Sequence, residues 1–541
     1  MAPSLAGRRR GTPEDGWSAG VESCSTPVRG PGGSLAAMTR DAQPPSSAAF
    51  HTQRPTWAPA PSGDGVEHAT VQVPLDYADP AGATLTIAVS RRRATDPARR
   101  RGVLLALNGG PGGYFGLGRR FAQVLAATPL AEVYDLIGFD PRGTGDSTPL
   151  HAEITPRRTP VDSRPPESAF PLLAEDARDR EEGNRRGGGA RRPHFSTRNV
   201  ARDMDVLRAV LGEPVINYLG YTYGTYAGAV YGAMFPERLD RSVLDSCVHP
   251  DWTWREQLMA QGAAHRANVD AWAQWTARRR GHFGLGSSAA EVLDAVERTV
   301  AHVETLPDGV RLRTLLDSAL GSRSADRARW SELGRMVGSL AGADGPTAAA
   351  LLADERIWPP EETEGATRCG VLDAVILEKD WPDDLETYYA DMRRFRARHP
   401  YGCGVTRAQP LPGAFRTFTP PEPPTRLVRD GYPAGLVVHA DGDPVDHYPG
   451  GVALARRLGH RLVTVADSGQ HEIYAFQRNK QVDEVVEAYL VDGVLPEGDV
   501  TCPSTVARPD LPEDDAGGHP DGVGVNALAA SADSDREGRH A

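Results

Sequence analysis

Apolar and polar positions alternate along two stretches in the first fifth of the chain. Residues 68–77 and 84–91 show the two-residue period of half-buried strands, and the turn Asp-Pro-Ala-Gly between them predicts a hairpin. The runs 102–107 and 134–139 that follow are apolar at nearly every position. Such runs are typical of strands buried on both faces of a sheet.

Further along the chain, apolar runs alternate with helical periodicity. We predict strands at 215–219, 241–247, 434–439 and 461–465, with amphipathic helices between them such as 198–211. The pattern therefore predicts eight strands that mostly alternate with helices. This is the pattern of an α/β fold with a mostly parallel sheet.

A long, mostly helical stretch at 251–428 interrupts this alternation after the sixth predicted strand. We expect it to lie over the carboxyl ends of the strands as a helical lid, and we assign the core of the fold to 57–250 and 429–503. Several tryptophans of the lid would mostly pack its interior, and an aromatic binding pocket is the alternative. They are Trp252, Trp254, Trp272, Trp275 and Trp358.

The two ends of the chain have compositions that disfavour a packed core. Residues 1–56 are rich in Pro, Gly, Ser and Arg, and 504–541 are acidic and glycine-rich, so we predict a disordered leader and a disordered tail. The arginines at 8–10 are not followed by an apolar segment, which argues against an export signal. Met38 is an alternative start. We also expect 150–194 to be loop-like, with one short acidic helix.

Charge and cysteine content narrow the class of protein. The chain has 60 basic and 72 acidic residues, a formal charge of −12, so we expect neither nucleic acid nor an anionic membrane as partner. Five irregularly spaced cysteines suggest neither a disulfide framework nor a metal site, although a Cys369–Cys403 pair stays open. We predict a cytoplasmic protein with no cofactor and a small-molecule substrate. The sequence does not indicate the oligomeric state.

The sequence Gly220-Tyr221-Thr222-Tyr223-Gly224 joins the predicted strand at 215–219 to a helix rich in small residues. A strand that turns sharply into a helix between two glycines is the nucleophile elbow of the α/β-hydrolase fold, G-x-S-x-G. The glycines allow close packing of strand and helix, and the residue between them is held in a strained conformation. Here that residue is Thr222 instead of serine.

The other groups that a hydrolase site needs follow later strands. In this fold the chain order is nucleophile, acid, histidine. Asp443 and His471 come directly after the last two predicted strands, so both should reach the edge of the sheet where Thr222 lies. Asp441 is the alternative acid, and Asp446 is a weaker one.

A glycine-rich loop at 108–113 follows the third predicted strand, where the loop that binds the oxyanion belongs. Glycine lets backbone N–H groups approach a substrate oxygen closely. We predict that the N–H groups of Gly110 and Tyr223 form the oxyanion hole. The segment 140–145 is predicted to be a tight turn, in which Asp140 and Arg142 brace the base of the site.

At these residues the chain resembles a known family. The motifs are GGPGG, IGFDPRGTGDSTP, ARDMDVLRAVLG, NYLGYTYGTYAGAVYGAMFPERLDRSVLDS and LVTVADSGQH. They resemble the tripeptidyl-aminopeptidase branch of the α/β hydrolases, relatives of prolyl iminopeptidase, over about 57–503. The resemblance implies a serine exopeptidase with a Ser–Asp–His triad, a helical lid and export by a signal peptide.

The chain departs from that family pattern in three ways. Thr222 replaces the nucleophilic serine, the export signal is missing, and cysteines usual in the family are replaced by Ser62, His68 and Leu377. The last two departures agree, because a protein kept in a reducing compartment does not form stable disulfides.

These departures leave two chemistries open, which the sequence does not rank. Thr222 can be a slowed nucleophile toward an ester, thioester or amide. Alternatively, His471 braced by Asp443 transfers a proton in a lyase, cyclisation or carbon–carbon bond-forming reaction, and Thr222 only shapes the site. We rank an intracellular enzyme acting on a natural-product-like small molecule above an exopeptidase, because peptide scavenging outside the cell requires export. An inactive hydrolase that binds a ligand is a further alternative.

Overall fold

The structure, a computed structural model, describes residues 47–111, 117–356 and 366–514. Its strands are β1 (Ala58–Pro59), β2 (Val66–Pro74), β3 (Thr84–Arg92), β4 (Val103–Leu107), β5 (Asp135–Phe139), β6 (His151–Glu153), β7 (Ile216–Thr222), β8 (Leu239–Cys247), β9 (Thr367–Cys369), β10 (Leu436–Ala440), β11 (Arg461–Ala466) and β12 (Val500–Pro503).

Helices separate most of these strands. They are α1 (Ser47–His51), α2 (Leu117–Val124), α3 (Leu130–Val133), α4 (Phe170–Gly188), α5 (Thr197–Val210), α6 (Tyr223–Met234), α7 (Arg255–Ala277), α8 (Arg280–Phe283), α9 (Ala289–Glu304), α10 (Gly309–Ala325), α11 (Trp330–Leu340), α12 (Gly345–Leu351), α13 (Val371–Ile376), α14 (Leu385–Arg398), α15 (Gly404–Arg407), α16 (Pro449–Leu458) and α17 (Lys480–Glu487).

The main sheet has the strand order β1-β2-β3-β5-β4-β7-β8-β10-β11-β12. Strands from β5 to β12 in this order run parallel, and β1, β2 and β3 form an antiparallel edge. The predicted α/β-hydrolase fold with a mostly parallel sheet is therefore confirmed. The predicted count of eight strands is wrong, because ten strands pair in this sheet. The two missed strands, β1 and β12, are short edge strands whose few residues show no readable period.

The continuous apolar runs are strands that are covered on both faces. All five residues of β4 are buried, and alternate residues fall into two different cores. Val103, Leu105 and Leu107 pack with helices on one face, whereas Leu104 and Ala106 pack on the other. A strand between two helical layers has no face toward solvent, so it lacks the polar positions of an alternating pattern, as the sequence indicated.

The helices α7 to α15 lie between β8 and β10 in the chain and form a helical insertion with its own apolar core. Trp272 and Trp275 are fully buried in that core, which confirms the packing role predicted for them. Trp254 instead packs against Tyr223 and Tyr226 of the elbow helix. Trp252 stacks on a histidine, and Trp358 lies outside the described residues.

The prediction of a mostly loop-like segment at 150–194 is wrong. It contains the 19-residue helix α4, and β6 pairs with β9 in a second small sheet. The first half of helix α4 buries apolar side chains from Phe170 to Ala177, but its second half buries polar and charged groups: Glu181 is buried and forms an ion pair with Arg192 at 2.7 Å. The apolar period therefore ends near Ala177, which explains why the sequence predicted only a short helix in this segment.

Both ends that were predicted to be disordered include residues that the structure describes, 47–56 and 504–514. Helix α1 lies inside the predicted leader, and its Phe50 is buried in the main core. Residues 504–514 of the predicted tail contact the helical insertion: the Leu511 carbonyl accepts a bond from Arg279, and Asp514 accepts one from the Gly281 N–H at 2.8 Å. None of the helices in these described parts of the chain is long and apolar enough to cross a bilayer.

Candidate active site

Thr222 lies at the sharp turn from β7 into α6, and its backbone is strained. Its φ angle is 48° and its ψ angle is −119°. A positive φ is a genuine outlier for a β-branched residue and is kept only where the surroundings enforce it. The two glycines provide this enforcement: a Cβ at Gly224 would lie 2.1 Å from the Leu107 carbonyl oxygen, and one at Gly220 would lie 2.5 Å from the Gly224 carbonyl oxygen. Strand and helix therefore pack in direct backbone contact.

The side chain of Thr222 faces the glycine-rich loop after β4. A Cβ built on Gly109 would lie 2.8 Å from Thr222 Oγ1, 2.3 Å from Thr222 Cγ2 and 2.3 Å from the Tyr223 backbone nitrogen. The hydroxyl, the methyl group and the Tyr223 N–H therefore border one small space beside Gly109. Only a residue without a side chain fits there, as expected for a loop that binds an oxyanion.

Gly109 is therefore a further candidate for the oxyanion hole, besides the predicted Gly110 and Tyr223. The Tyr223 N–H borders the space beside Gly109, whereas the predicted pair contains Gly110. Gly110 follows as an exposed residue, and residues 112–116 lie outside the described part. The glycine run marks the loop, but only the path of the backbone shows which glycine touches the elbow.

His471 and Asp443 form a hydrogen-bonded pair. His471 Nδ1 lies 2.8 Å from Asp443 Oδ2, and Asp443 is fully buried. Burial would raise the pKa of Asp443, but the His471 imidazole and the backbone N–H of Val445 more than offset this and lower it. Burial would lower the pKa of His471, but Asp443 raises it to about 10. The Asp443 carboxylate therefore favours the protonated form of the His471 imidazole.

The other two candidate acids have different surroundings. Asp441 accepts backbone hydrogen bonds from Asp467 and Ser468 at 2.8 and 3.0 Å, so it joins two loops of the site. Asp446 is buried, accepts a bond from Gln257 Nε2 at 2.7 Å, and has a pKa raised to about 7 by burial. The hydroxyl of Thr222 is close enough to lower the pKa of Asp446.

Side chains that the sequence analysis passed over hold the His471 loop. Ser246 Oγ accepts a hydrogen bond from the Glu472 N–H at 2.8 Å, and the neighbouring Asp245 binds the next two N–H groups. Both residues end β8, which was predicted only as a core strand. Two adjacent polar residues after the apolar Val243 and Leu244, near the carboxyl end of the strand, were the available signal.

The turn at 140–145 contacts two neighbouring helices. Asp140 accepts a bond from the Arg119 N–H at 3.0 Å, at the start of α2. Arg142 is buried and forms an ion pair with Asp203 of α5 at 2.6 Å.

Cys403 is free, so the Cys369–Cys403 pair is not formed. Within the described residues, no group of three or more His, Cys, Asp or Glu could hold a metal ion.

Comparisons with known proteins identify the family of this chain. A family model described as "alpha/beta hydrolase fold" matches residues 102–334, and one described as "TAP-like protein" matches residues 404–502. A tripeptidyl aminopeptidase of Streptomyces coelicolor is 33% identical over 81% of this chain and 83% of its own length.

Two mycobacterial proteins are also similar over most of their length. Carboxylesterase B of Mycobacterium tuberculosis is 31% identical over 80% of this chain and 86% of its own. Serine protease Hip1 of the same organism is 28% identical over 80% and 86%. The elbow, the glycine-rich loop and the His471–Asp443 pair thus occur in a chain that is similar to enzymes of one family along most of its length. This chain belongs to the tripeptidyl-aminopeptidase branch of the α/β hydrolases.

Proposed function

We propose that this protein is an acyl hydrolase that cleaves an amide or ester bond through a covalent intermediate on Thr222. The observation that carries the proposal is the pairing of His471 with Asp443 at 2.8 Å, at the edge of the sheet where the strained elbow presents Thr222. A nucleophile on a strained turn, with an imidazole oriented by a buried carboxylate, is the arrangement that covalent acyl transfer requires.

The names of the relatives favour this chemistry over a non-hydrolytic one. They are a tripeptidyl aminopeptidase, a serine protease and a carboxylesterase, so all three names refer to amide or ester cleavage. We therefore rank a peptide-like acyl substrate first. This order reverses the one that we predicted from the sequence, in which a natural-product-like small molecule stood above a peptide.

The residues have distinct roles in the proposed reaction. The Thr222 oxygen attacks the substrate carbonyl carbon, and the Tyr223 N–H with the loop at Gly109 stabilises the oxyanion. The leaving group departs with a proton, and acyl-Thr222 remains. Water then releases the acid and restores Thr222, while the His471–Asp443 pair takes part in the proton transfers of both halves.

The methyl group of Thr222 should slow this reaction in comparison with serine. It lies toward Gly109, in the space that the developing oxyanion also needs. Displacement of reacting atoms by about 1 Å costs on the order of a hundredfold in rate. We therefore expect an active but slow enzyme, with the same machinery as a serine hydrolase.

One observation favours a second candidate function. Asp443, whose Oδ2 lies 2.8 Å from His471 Nδ1, favours the protonated form of the imidazole, and an imidazolium can donate a proton. Such a donor suits a reaction in which His471 transfers protons to a small organic substrate and Thr222 forms no covalent bond.

The buried His471–Asp443 pair argues against the alternative that the protein is an inactive hydrolase that only binds a ligand. We also keep the proposal of a cytoplasmic location, which the free Cys247, Cys403 and Cys502 support.

The two functions are separated by Thr222→Ala, Thr222→Ser and His471→Ala, tested on tripeptide p-nitroanilides and on p-nitrophenyl esters. Acyl hydrolysis predicts a mass increase on Thr222, loss of turnover in Thr222→Ala and a gain in Thr222→Ser. The matched control is Thr305→Ala, at an exposed position after α9, which should behave as the wild type. Full turnover in Thr222→Ala with none in His471→Ala would reject acyl hydrolysis and support the second function.

A further inference from the structure

Helix α7 of the helical insertion lies over the loop that carries Asp443. Gln261 of α7 donates a hydrogen bond to the Val445 carbonyl oxygen at 3.0 Å. Asn268 of the same helix donates one to the Gly442 carbonyl oxygen at 2.8 Å. Residues seven positions apart lie on one face of a helix, so this face of α7 borders the active site.

His265 lies on the same face of α7, four residues after Gln261 and three before Asn268. Two glycines leave room for its ring. A Cβ built on Gly402 would lie 2.4 Å from His265 Cγ, and one built on Gly321 would lie 3.0 Å from His265 Nδ1. Nδ1 closes no hydrogen bond with a described residue. The ring is therefore tightly packed at the border of the site and keeps an unused polar atom.

Helix α15 brings Arg407 to this ring. The first residue of α15, Gly404, packs on α7, since a Cβ built on Gly262 would lie 3.4 Å from Gly404 Cα. Arg407 follows Gly404 by three residues, about one helical turn, and His265 follows Gly262 by the same interval. Burial, together with the charge of Arg407, lowers the pKa of His265 to about 4, so the ring stays neutral. Asp443 acts on this pKa in the opposite direction, which places the ring within electrostatic reach of the catalytic pair.

The Arg407 guanidinium has no counter-charge among the described residues. Its Nε is buried without a hydrogen-bond partner in this part of the chain, and the side chain is only partly exposed. Burial lowers its pKa, and the Cys403 thiol is the one described titratable group that acts against this. Arg255, the first residue of α7, shows the usual arrangement, an ion pair with Asp391 at 2.6 Å. A cation enclosed without such a partner is costly and is uncommon outside binding sites.

The acidic groups of the active site do not supply the missing charge. Asp443 binds His471 at 2.8 Å. Asp446 accepts its hydrogen bond from Gln257 at 2.7 Å. Neither carboxyl group is among those that act on Arg407. The wall that α7 and α15 form therefore carries a localised positive charge, and a guanidinium binds carboxylates through two parallel N–H donors.

We propose that Arg407 and His265 form a carboxylate subsite, in which the guanidinium supplies the charge and paired donors and the imidazole supplies one further donor. This inference rests on the proposed acyl hydrolysis and adds a substrate class, an acidic peptide or acyl compound. The carboxylate belongs either to an aspartate or glutamate side chain in the acyl part, or to the free C-terminus of the leaving peptide.

Tripeptide p-nitroanilides test the acyl part. Peptides with glutamate or glutamine at one of their positions differ in charge at nearly equal size. If the acyl part supplies the carboxylate, the wild type should cleave a glutamate peptide with a kcat/KM about tenfold to a hundredfold above that of its glutamine counterpart, as for hydrogen bonds to a charged group. Arg407→Gln should remove this preference. The matched control is Arg311→Gln, at an exposed position of α10, which should keep it.

Free tetrapeptides and their C-terminal amides test the leaving part. If the C-terminus supplies the carboxylate, the wild type should cleave the free peptide faster than its amide, and Arg407→Gln should cleave both at the same rate. A preference in either comparison that depends on Arg407 supports the subsite. Equal rates in both comparisons, or a preference that Arg407→Gln retains, would overturn it.

Glutarate, a small dicarboxylate, tests the subsite without turnover. It should raise the melting temperature of the wild type and of Arg311→Gln, but not that of Arg407→Gln. Because the substitution removes a cation without a partner, Arg407→Gln should unfold at or above the wild-type temperature. A lower melting temperature in Arg407→Gln, with no effect of glutarate on the wild type, would show that Arg407 is structural and would overturn the subsite.

Arg407→Lys provides a second variant, which keeps the charge but not the paired donors. It should keep part of the preference for the carboxylate, and an undiminished preference would overturn the role of the guanidinium. The failure of the proposed hydrolysis would look different. If glutarate stabilises the protein through Arg407 but no acyl-Thr222 forms on any substrate, acyl hydrolysis is rejected and the carboxylate subsite stands.

Discussion

Asp245 accepts a hydrogen bond from the backbone N–H of Tyr474 at 2.7 Å, which ties β8 to the loop that carries His471. The Ile473 N–H donates to the same carboxyl group at 3.1 Å. Burial raises the pKa of Asp245 to about 7 despite these bonds. A strand that carries no proposed catalytic residue thus sets the position of the imidazole.

Asp245→Asn should therefore lower kcat without a large change in KM. The amide NH₂ group would meet one of the two backbone N–H donors, so the His471 loop should shift. We expect a loss of roughly tenfold to a hundredfold, since near-attack geometry is this sensitive. Steady-state kinetics on a p-nitrophenyl ester would measure it, with the exposed Asp430→Asn as control. An unchanged kcat would show that the loop does not need this anchor.

Gly109→Ala should disable the site with little effect on the rest of the fold. Its methyl group would lie 2.3 Å from both Thr222 Cγ2 and the Tyr223 nitrogen, so the oxyanion space would close. We expect kcat to fall by on the order of a hundredfold or more, as for loss of an oxyanion donor. Gly342→Ala is the matched control, because a Cβ there meets nothing within 4 Å. Wild-type activity in Gly109→Ala would place the oxyanion hole elsewhere.

Asp443→Asn should return the His471 imidazole toward its ordinary titration. In the wild type the folded-state pKa is about 10, above the unfolded value of about 6.5. The stabilisation from this raised pKa is fully present below about pH 6.5 and is lost as the pH rises through 10. In the variant this loss should disappear, and kcat should fall by roughly a thousandfold or more. NMR titration of His471 and denaturant unfolding at pH 6, 8 and 10 would measure both effects.

Glu378→Gln should reduce the pH dependence of stability. Glu378 accepts bonds from the N–H and hydroxyl of Thr197 and from Trp254, and burial raises its pKa to about 7. The unfolded value is about 4.3, so its stabilisation is present below pH 4 and lost as the pH rises through 7.

Urea unfolding at pH 5 and pH 8 gives the measurement for Glu378. The difference in unfolding free energy between the two pH values should shrink by about 1–3 kcal/mol in Glu378→Gln relative to the wild type. Glu497→Gln, at an exposed position, is the control and should leave the difference unchanged. An equal difference in Glu378→Gln and the wild type would show that Glu378 does not titrate in this range.

The strands and helices that the sequence predicted correctly are those with a clear pattern of apolar residues. β4 is buried on both faces and lies where its apolar run indicated, and α5 begins after Ser196, whose side chain caps it. The failures have a common cause. β1 has only two residues, and the apolar period of α4 stops where the helix buries the ion pair of Glu181 with Arg192.

The sequence by itself determined that a threonine stands on the elbow and that a histidine and several aspartates follow the last strands. Only the tertiary structure decided which aspartate does what. Asp441, Asp443 and Asp446 lie within six residues of one another, yet the first binds backbone N–H groups, the second binds His471 and the third binds Gln257. In an irregular loop no period relates residue number to side-chain direction, so contacts with neighbouring strand ends set each carboxyl group's position.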